Sequence, residues 1–394
     1  MLKRSILEMK LKVALGVILL TLTPMAVFCQ TADADTKAAI EKLQAQIDTL
    51  KSQVGDPEGG IQTNIADVSK LKKVTFSGYA QLRADWKQDA TNSVTGGDQR
   101  INFSQRRVRL KVTGTPTDST SVVFQSDMGD KGFVMKDAYI DYKPTGDPIT
   151  GVTATIGQFA IPFGYQNAAS SSSMDTPERS QIVRDLFPDE YDRGIKLSSK
   201  TAGMVRWDVA LLSGAGMNNA DTSQNKDIVG RLRLKPTQSL DCGVSYYKGG
   251  RQYVGSTAAV VGPPAVPAAA VNIKNRENTG VDFQYYTENM SFKGEIISGD
   301  KITVGSAGAP GKAQRESGYY LTSTYNVTPK NMAVCMYESY HIAGDTAGNR
   351  KIVTLGVNHY LDTNTKLRFF YIWKVEQKTQ SNNNNAFVEV LSTF

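Results

Sequence analysis

From Lys73 to Trp86 the chain changes character at every residue. Val74, Phe76, Gly78, Ala80, Leu82, Ala84 and Trp86 alternate with Thr75, Ser77, Tyr79, Gln81, Arg83 and Asp85. Successive side chains of a β-strand point to opposite faces, so one face here suits lipid and the other suits water. The run exceeds the usual soluble strand of about 5–6 residues. It fits a tilted strand that crosses a bilayer and projects beyond it. The pattern returns in Arg107, Arg109 and Lys111 against Val108, Leu110 and Val112, and in Asp137, Tyr139 and Asp141 against Ala138, Ile140 and Tyr142.

Further alternating segments lie near 119–128, 151–160, 192–199, 205–214, 226–236, 240–248, 275–287, 291–300, 316–327, 332–341, 350–361, 365–377 and 386–394. With the three above they predict an all-β fold: an antiparallel transmembrane β-barrel of about sixteen strands. The connections alternate too. Thr115 to Asp118, Thr237 to Ser239, Thr328 to Asn331 and Asp362 to Asn364 are tight, whereas Gly249 to Lys274, Lys301 to Glu316 and Lys378 to Asn385 are long and polar. Short turns at one end and long loops at the other are the asymmetry of outer-membrane barrels, whose turns face the periplasm. Trp86, Tyr142, Trp207, Tyr325, Tyr360 and Trp373 fall where girdle aromatics belong. The terminal Phe394, with Val388 and Val390 at alternate positions before it, resembles the signal read by the outer-membrane assembly machinery.

Residues 1–29 read as a signal peptide, with Lys3, Arg4, Lys10 and Lys12 ahead of the apolar run Val13 to Leu20. Cleavage after Cys29 is the expectation; a lipoprotein anchored at Cys29 is the rival, weakened by the bulk of Phe28. Residues 30–72 are expected in the periplasm as a helical, coiled-coil segment and linker. Ile40, Leu43, Ile47, Leu50 and Val54 recur at spacings of three and four, a seam of about two heptads. So short a seam associates only if a larger body concentrates its copies; the alternative is a lone amphipathic helix on the barrel mouth. The barrel is expected over 73–394.

Beyond the signal no apolar stretch is long enough for a spanning helix, which excludes helical insertion. Hydrophobic residues make up only 40% of the 394, beside 34 Gly and 17 Tyr, a balance that suits strands with one polar face. The formal charge of +7 falls once the basic signal is removed. The remaining cations alternate along strands instead of clustering, which argues against nucleic acid as a partner. After cleavage only Cys242 and Cys335 remain, on strands expected to be far apart, so no disulfide framework is expected. A barrel hydrolase would need an activated nucleophile. Only His341 and His359 are present, without a G-x-S-x-G motif or metal-ligand spacing, so neither enzyme activity nor a cofactor or metal is expected.

The insertion at 160–189 carries a Ser170 to Ser173 run followed by Glu178, Arg179, Arg184, Asp185 and Asp189. A wide barrel encloses an open channel unless a loop folds inward, so this insertion is the expected constriction. The segments KDAYIDY at Lys136 to Tyr142, GQFAIPFGYQ at Gly157 to Gln166, PERS at Pro177 to Ser180 and DRGIKL at Asp192 to Leu197 resemble the phosphate-selective porin O and P family. GVNHYLDTNTKLRFFYIW at Gly356 to Trp373 is similar to that family's penultimate hairpin. The likeness extends over nearly all of Lys73 to Phe394. It implies a homotrimeric barrel of sixteen strands in the bacterial outer membrane, in contact with its lipid, with basic residues along the pore. The coiled-coil prefix lies outside the pattern. The loop lysines of strict phosphate channels have no plain match.

If apolar positions face lipid, then Arg83, Arg107, Arg109, Lys111, Lys196, Arg206, Arg231, Arg233 and Lys235 face the lumen, as do Lys293, Arg368 and Lys374. Arg179 and Arg184 join them from the constriction loop. Asp85, Asp127, Asp137, Asp141, Asp208, Asp282 and Glu295 share the lumen face, so selectivity should be moderate. Arg231, Arg233 and Lys235, with no acid interleaved on their own strand, stand out as an anion path. The expected function is passive diffusion of small anions such as phosphate or polyphosphate. General diffusion without strong selectivity, and an envelope-tethering or adhesive barrel, are the alternatives.

Overall fold

The computed structural model describes residues 40–49, 73–87, 101–130, 132–144, 151–188, 190–199, 203–221, 225–253, 271–303, 312–344, 349–376 and 384–394. The chain divides into two units, Met1–Leu71 and Lys72–Phe394. In the first, residues 40–49 form a helix that exposes Ile40, Leu43 and Ile47. Leu50, Val54 and the signal segment 1–29 lie outside the described residues. The structure shows a helix at this point and does not support the coiled coil.

The second unit is a barrel of sixteen strands: β1 Val74–Lys87, β2 Ile101–Thr117, β3 Thr120–Asp127, β4 Val134–Tyr142, β5 Val152–Ala160, β6 Tyr191–Ser199, β7 Val205–Leu212, β8 Asp227–Leu234, β9 Leu240–Tyr253, β10 Val271–Tyr286, β11 Met290–Thr303, β12 Lys312–Thr328, β13 Asn331–Ile342, β14 Arg350–Tyr360, β15 Thr365–Glu376 and β16 Asn385–Thr393. Each pairs antiparallel with its neighbours in sequence, and β16 returns to β1 with Tyr79 opposite Thr393 and Lys87 opposite Asn385. Closure leaves no strand edge unpaired, which is what a bilayer demands of a sheet. Strands β9 to β12 run several residues further into the long loops than alternation suggested. There the outer face no longer needs to be apolar, so the period-2 signal fades before the hydrogen-bonded ladder does.

Leu232, Leu234, Phe369 and Tyr371 are exposed on the outer wall, with Val108 and Leu110 half-buried on the same face. The inner face departs from the expected pattern. On β13 the inward positions Met332, Val334, Met336, Tyr340 and Ile342 are buried and apolar, as are Ile297 on β11 and Ile352 on β14. Met332 and Val334 pack with Phe370 and Phe387; for the others the cause is the loop between β5 and β6, which folds into the barrel. It carries two short helices, α1 Tyr165–Ala168 and α2 Gln181–Leu186. Its Ile161, Phe163, Ile182, Val183, Leu186 and Phe187 pack with Ile297, Met336, Tyr340 and Ile352 in one buried cluster. The Phe163 and Phe187 rings lie 4.7 Å apart. Each such side chain taken from water contributes roughly 1.5–3 kcal/mol, so the loop is a packed layer against the β10–β14 wall.

Candidate functional site

Two β-bulges shape the lumen opposite that layer. Across β1 and β2, Gln81 faces Arg107 but the next residue, Leu82, faces Gln105, which leaves Arg106 as an extra residue. Across β3 and β4, Gln125 faces Asp137 while Ser126 faces Met135, which leaves Lys136 extra. A bulge re-aims the side chain it inserts. Strict alternation would turn Arg106 and Lys136 outward, yet Arg106 reaches the inward loop and Lys136 lies 5.2 Å from the centre of the inward Tyr191 ring.

The loop meets this wall at Glu178. Its carboxylate accepts from Arg106 Nε and Nη2, both at 2.7 Å, and is paired with Arg83 at 2.9 Å and Arg107 at 3.3 Å. Burial pushes the Glu178 carboxyl up, but the Arg107, Arg106 and Arg83 guanidinium groups outweigh it and hold the group well below the usual carboxylate range.

On the other side the loop lies over acids. Glu338 accepts the first N–H of α2, from Gln181, at 2.6 Å, meeting one of the donors a helix start leaves open. Glu295 accepts the Gln166 N–H and, at 2.8 Å, the Tyr320 hydroxyl. Glu316 lies by Lys301, which also bridges to Asp185 of α2 at 3.0 Å. Glu295, Glu316 and Glu338 are all at most 3% exposed. Arg276, stacked on Phe187 and Tyr247, donates to the Leu186 carbonyl at the end of α2.

Two water-accessible cavities bear on this charged wall. One of about 560 Å³, toward the short turns, is lined by Lys111, Asp137, Lys196, Asp208, Arg231 and Arg233, with Tyr79, Tyr139 and Phe394. The other, about 980 Å³ toward the long loops, is lined by Arg83, Arg106, Arg107, Lys136, Glu178 and Arg184 among others. Arg109 lines both. It pairs with Asp127 at 2.9 Å and lies over the Tyr79 ring.

Arg83, Arg107, Arg109, Lys111, Lys196, Arg231 and Arg233 thus line the two cavities, in differing states. Arg231 pairs with Asp282 and Arg233 with Asp208, at 2.8 and 2.9 Å, so the stretch without acids on β8 receives them from β10 and β7. Lys235 lies past the end of β8 and is exposed, and Arg206 pairs with Asp241; neither lines either cavity. Arg179 is turned into its own loop. It donates to the Gln166 and Ala169 carbonyls and to Ser171, and pairs with Glu190 at 2.9 Å, so it braces the constriction and is 4% exposed. Arg184 is exposed and bonded to Gln181. Lys111, Lys136 and Lys196 make no ion pair among the described residues; Lys196 lies 4.8 Å from the Phe159 ring centre. Reading by alternation missed Arg106 and Lys136, since a bulge has no period of its own. Two adjacent polar residues inside an alternating run, as in Arg106-Arg107 and Lys136-Asp137, are the one local trace of it.

No curated protein matches the chain. Among solved structures, the anion-selective porin from Comamonas acidovorans is similar at 13% identity and a TM-score of 0.59, over 82% of this chain and 99% of that one. Salmonella typhi OmpF, in a complex with daunomycin, is similar at 11% identity and a TM-score of 0.58, over 82% and 97%. The trimer form of OmpT from Vibrio cholerae is similar at 13% and 0.55, over 82% and 99%. At such identities these likenesses establish the barrel fold alone. The profile of the phosphate-selective porin O and P family matches residues 76–393, nearly the whole barrel with its inward loop, and the chain accordingly belongs to that family of bacterial outer-membrane porins.

Proposed function

We propose that the barrel is a water-filled channel through which small anions, phosphate-like ones included, diffuse passively. The observation that carries this is how the loop divides the charges. It buries the carboxylates of Glu295 and Glu316 on one wall, away from both cavities, and leaves Arg106, Arg109, Lys111, Lys136 and Lys196 lining the water on the other. A passing ion meets the second set. Lys136 and Lys196 are steadied by aromatic rings, and a cation–π contact of about 0.5–1 kcal/mol holds an ammonium without cancelling its charge. Each uncompensated cation favours an anion by about 1 kcal/mol at a wet surface, and by more in a narrow bore.

The finer reading of the assembly is a homotrimer, as the OmpT neighbour is described. In this reading the signal 1–29 is removed, the segment 30–72 lies in the periplasm, and Phe394 is presented to the assembly machinery. The reversal potential of the purified protein in a KCl gradient tests the function. A potential toward that of chloride is expected; one toward potassium would refute it. A value near zero would favour general diffusion, which the Arg231–Asp282 and Arg233–Asp208 pairs support, and absence of steady current would favour an adhesive or tethering barrel.

A further inference from the structure

The stretch of the constriction loop from Met174 to Glu178 is held at both ends by one row of wall residues. Arg368 on β15 stands opposite Glu389 on β16, and Glu389 stands opposite Arg83 on β1. Arg368 Nη2 donates to the carbonyls of Met174, Asp175 and Thr176 at 2.6, 3.0 and 3.0 Å. Arg83 pairs with Glu178 at the other end of the stretch. Glu389 touches neither part of the loop. Its Oε1 accepts from Arg368 Nη1 at 3.0 Å and its Oε2 from Arg83 Nη2 at 2.6 Å. Arg368 and Glu389 are wholly buried.

We propose that Glu389 is the positioning residue that seats the constriction loop. It acts across the seam where the last strand meets the first, so the bore narrows only in a barrel whose final strand is in place. The buried guanidinium of Arg368 and the largely buried one of Arg83 lie on either side of β16 and repel each other, with little water to screen them. One carboxylate between them removes both penalties and fixes the direction in which each fork points. Arg368 then presents Nη2 to three loop carbonyls while its Nε donates to Asn358, and Arg83 presents Nη1 to Glu178. The wall itself does not need the carboxylate, because the ladder between β16 and β1 is made by backbone groups. The carboxylate's distinct task is to aim Arg368 and Arg83, and through them to hold the segment that spans the seam. This inference rests on the protein being a channel and not on its preference for anions.

The test uses the purified full chain in planar bilayers with symmetrical KCl, where selectivity does not enter. Glu389→Gln is compared with wild type, and again in a chain whose Ser170 to Glu178 segment is replaced by a short Gly-Ser linker. Heat-modifiable migration on gels reports the folded barrel in each case. With the full loop, Glu389→Gln should raise single-channel conductance by about twofold or more, as an unseated loop leaves the barrel open. With the shortened loop the same substitution should change nothing further. An unchanged conductance with the full loop would overturn the proposal, as would an equal rise in both backgrounds. If Glu389→Gln folds only when the loop is short, its role is exercised through the loop, as proposed. If it folds in neither background, Glu389 holds the wall and the proposal fails.

Discussion

Arg106 and Arg107 are neighbours in sequence, yet both guanidinium groups meet the carboxylate of Glu178, at 2.7 and 3.3 Å. On a regular strand consecutive side chains face opposite ways. The extra residue in β2 brings the pair to one side, and the loop that narrows the pore is pinned where they converge.

Glu178 should govern how the loop responds to acid. Its carboxyl lies well below the ordinary value of 4.5 in the folded protein. A depressed folded value means that its contribution is fully present above the ordinary value and is lost as pH falls through the depressed one. Conductance noise from loop motion should therefore be flat from pH 7 to 5 and grow only at much lower pH. Glu178→Gln should show that noise at pH 7. A quiet Glu178→Gln channel would mean that the apolar layer alone holds the loop.

Cations without an acid partner should outweigh paired ones in setting selectivity. Replacing Lys111, Lys136 and Lys196 with Gln should lower the anion-to-cation permeability ratio several-fold, at about 1 kcal/mol or less for each charge in water. Replacing Arg231 and Arg233 should do less, because Asp282 and Asp208 already offset them. Reversal potentials at low salt decide the order, and in molar salt, where screening acts over about 3 Å, both effects should shrink. A larger effect from the arginines would invert the ranking.

The bulge in β4 can be probed with a thiol reagent that carries a bulky charged group. At Lys136→Cys the reagent should reduce current, since that side chain lines the cavity toward the long loops. At Ala138→Cys, on the face opposite Asp137, current should be unaffected. Block at both positions, or only at Ala138, would show that Lys136 is not turned inward.

Gly164 opens the inward loop with φ at +60°, and an added Cβ would come within 2.5 Å of Glu295 Oε2. Its N–H also donates to Ser245 at 3.0 Å. Gly164→Ala should thus destabilise the loop by about 1–3 kcal/mol from the backbone conformation alone and displace Glu295 from the Gln166 N–H. Protease cleavage within the loop should become faster while the heat-modifiable barrel persists. Unaltered cleavage would show that the turn absorbs the methyl group.

Much of the barrel was legible because its signals are local. Val74 to Trp86 announces its two faces without reference to any other segment, and turns such as Asp362 to Asn364 announce themselves by composition. The inward loop was legible as an insertion with charges. What its charges do was not, since Arg179 and Arg184 look alike in sequence and only the folded loop turns one of them into its own backbone carbonyls. The inward Met336, Tyr340 and Ile342 of β13 likewise broke the rule that apolar means lipid, because a second layer inside the barrel packs against them.

By itself the sequence determined the number of strands, their alternation and the end at which the long loops emerge, all of which follow from side-chain spacing along a single extended segment. Only the tertiary structure decided that Arg106 and Lys136 point inward, that Arg231 meets Asp282 from 51 residues away, and that Glu389 joins Arg368 to Arg83. Those relationships depend on the register between strands and on where a folded loop comes to rest, which are set by packing among segments distant along the chain.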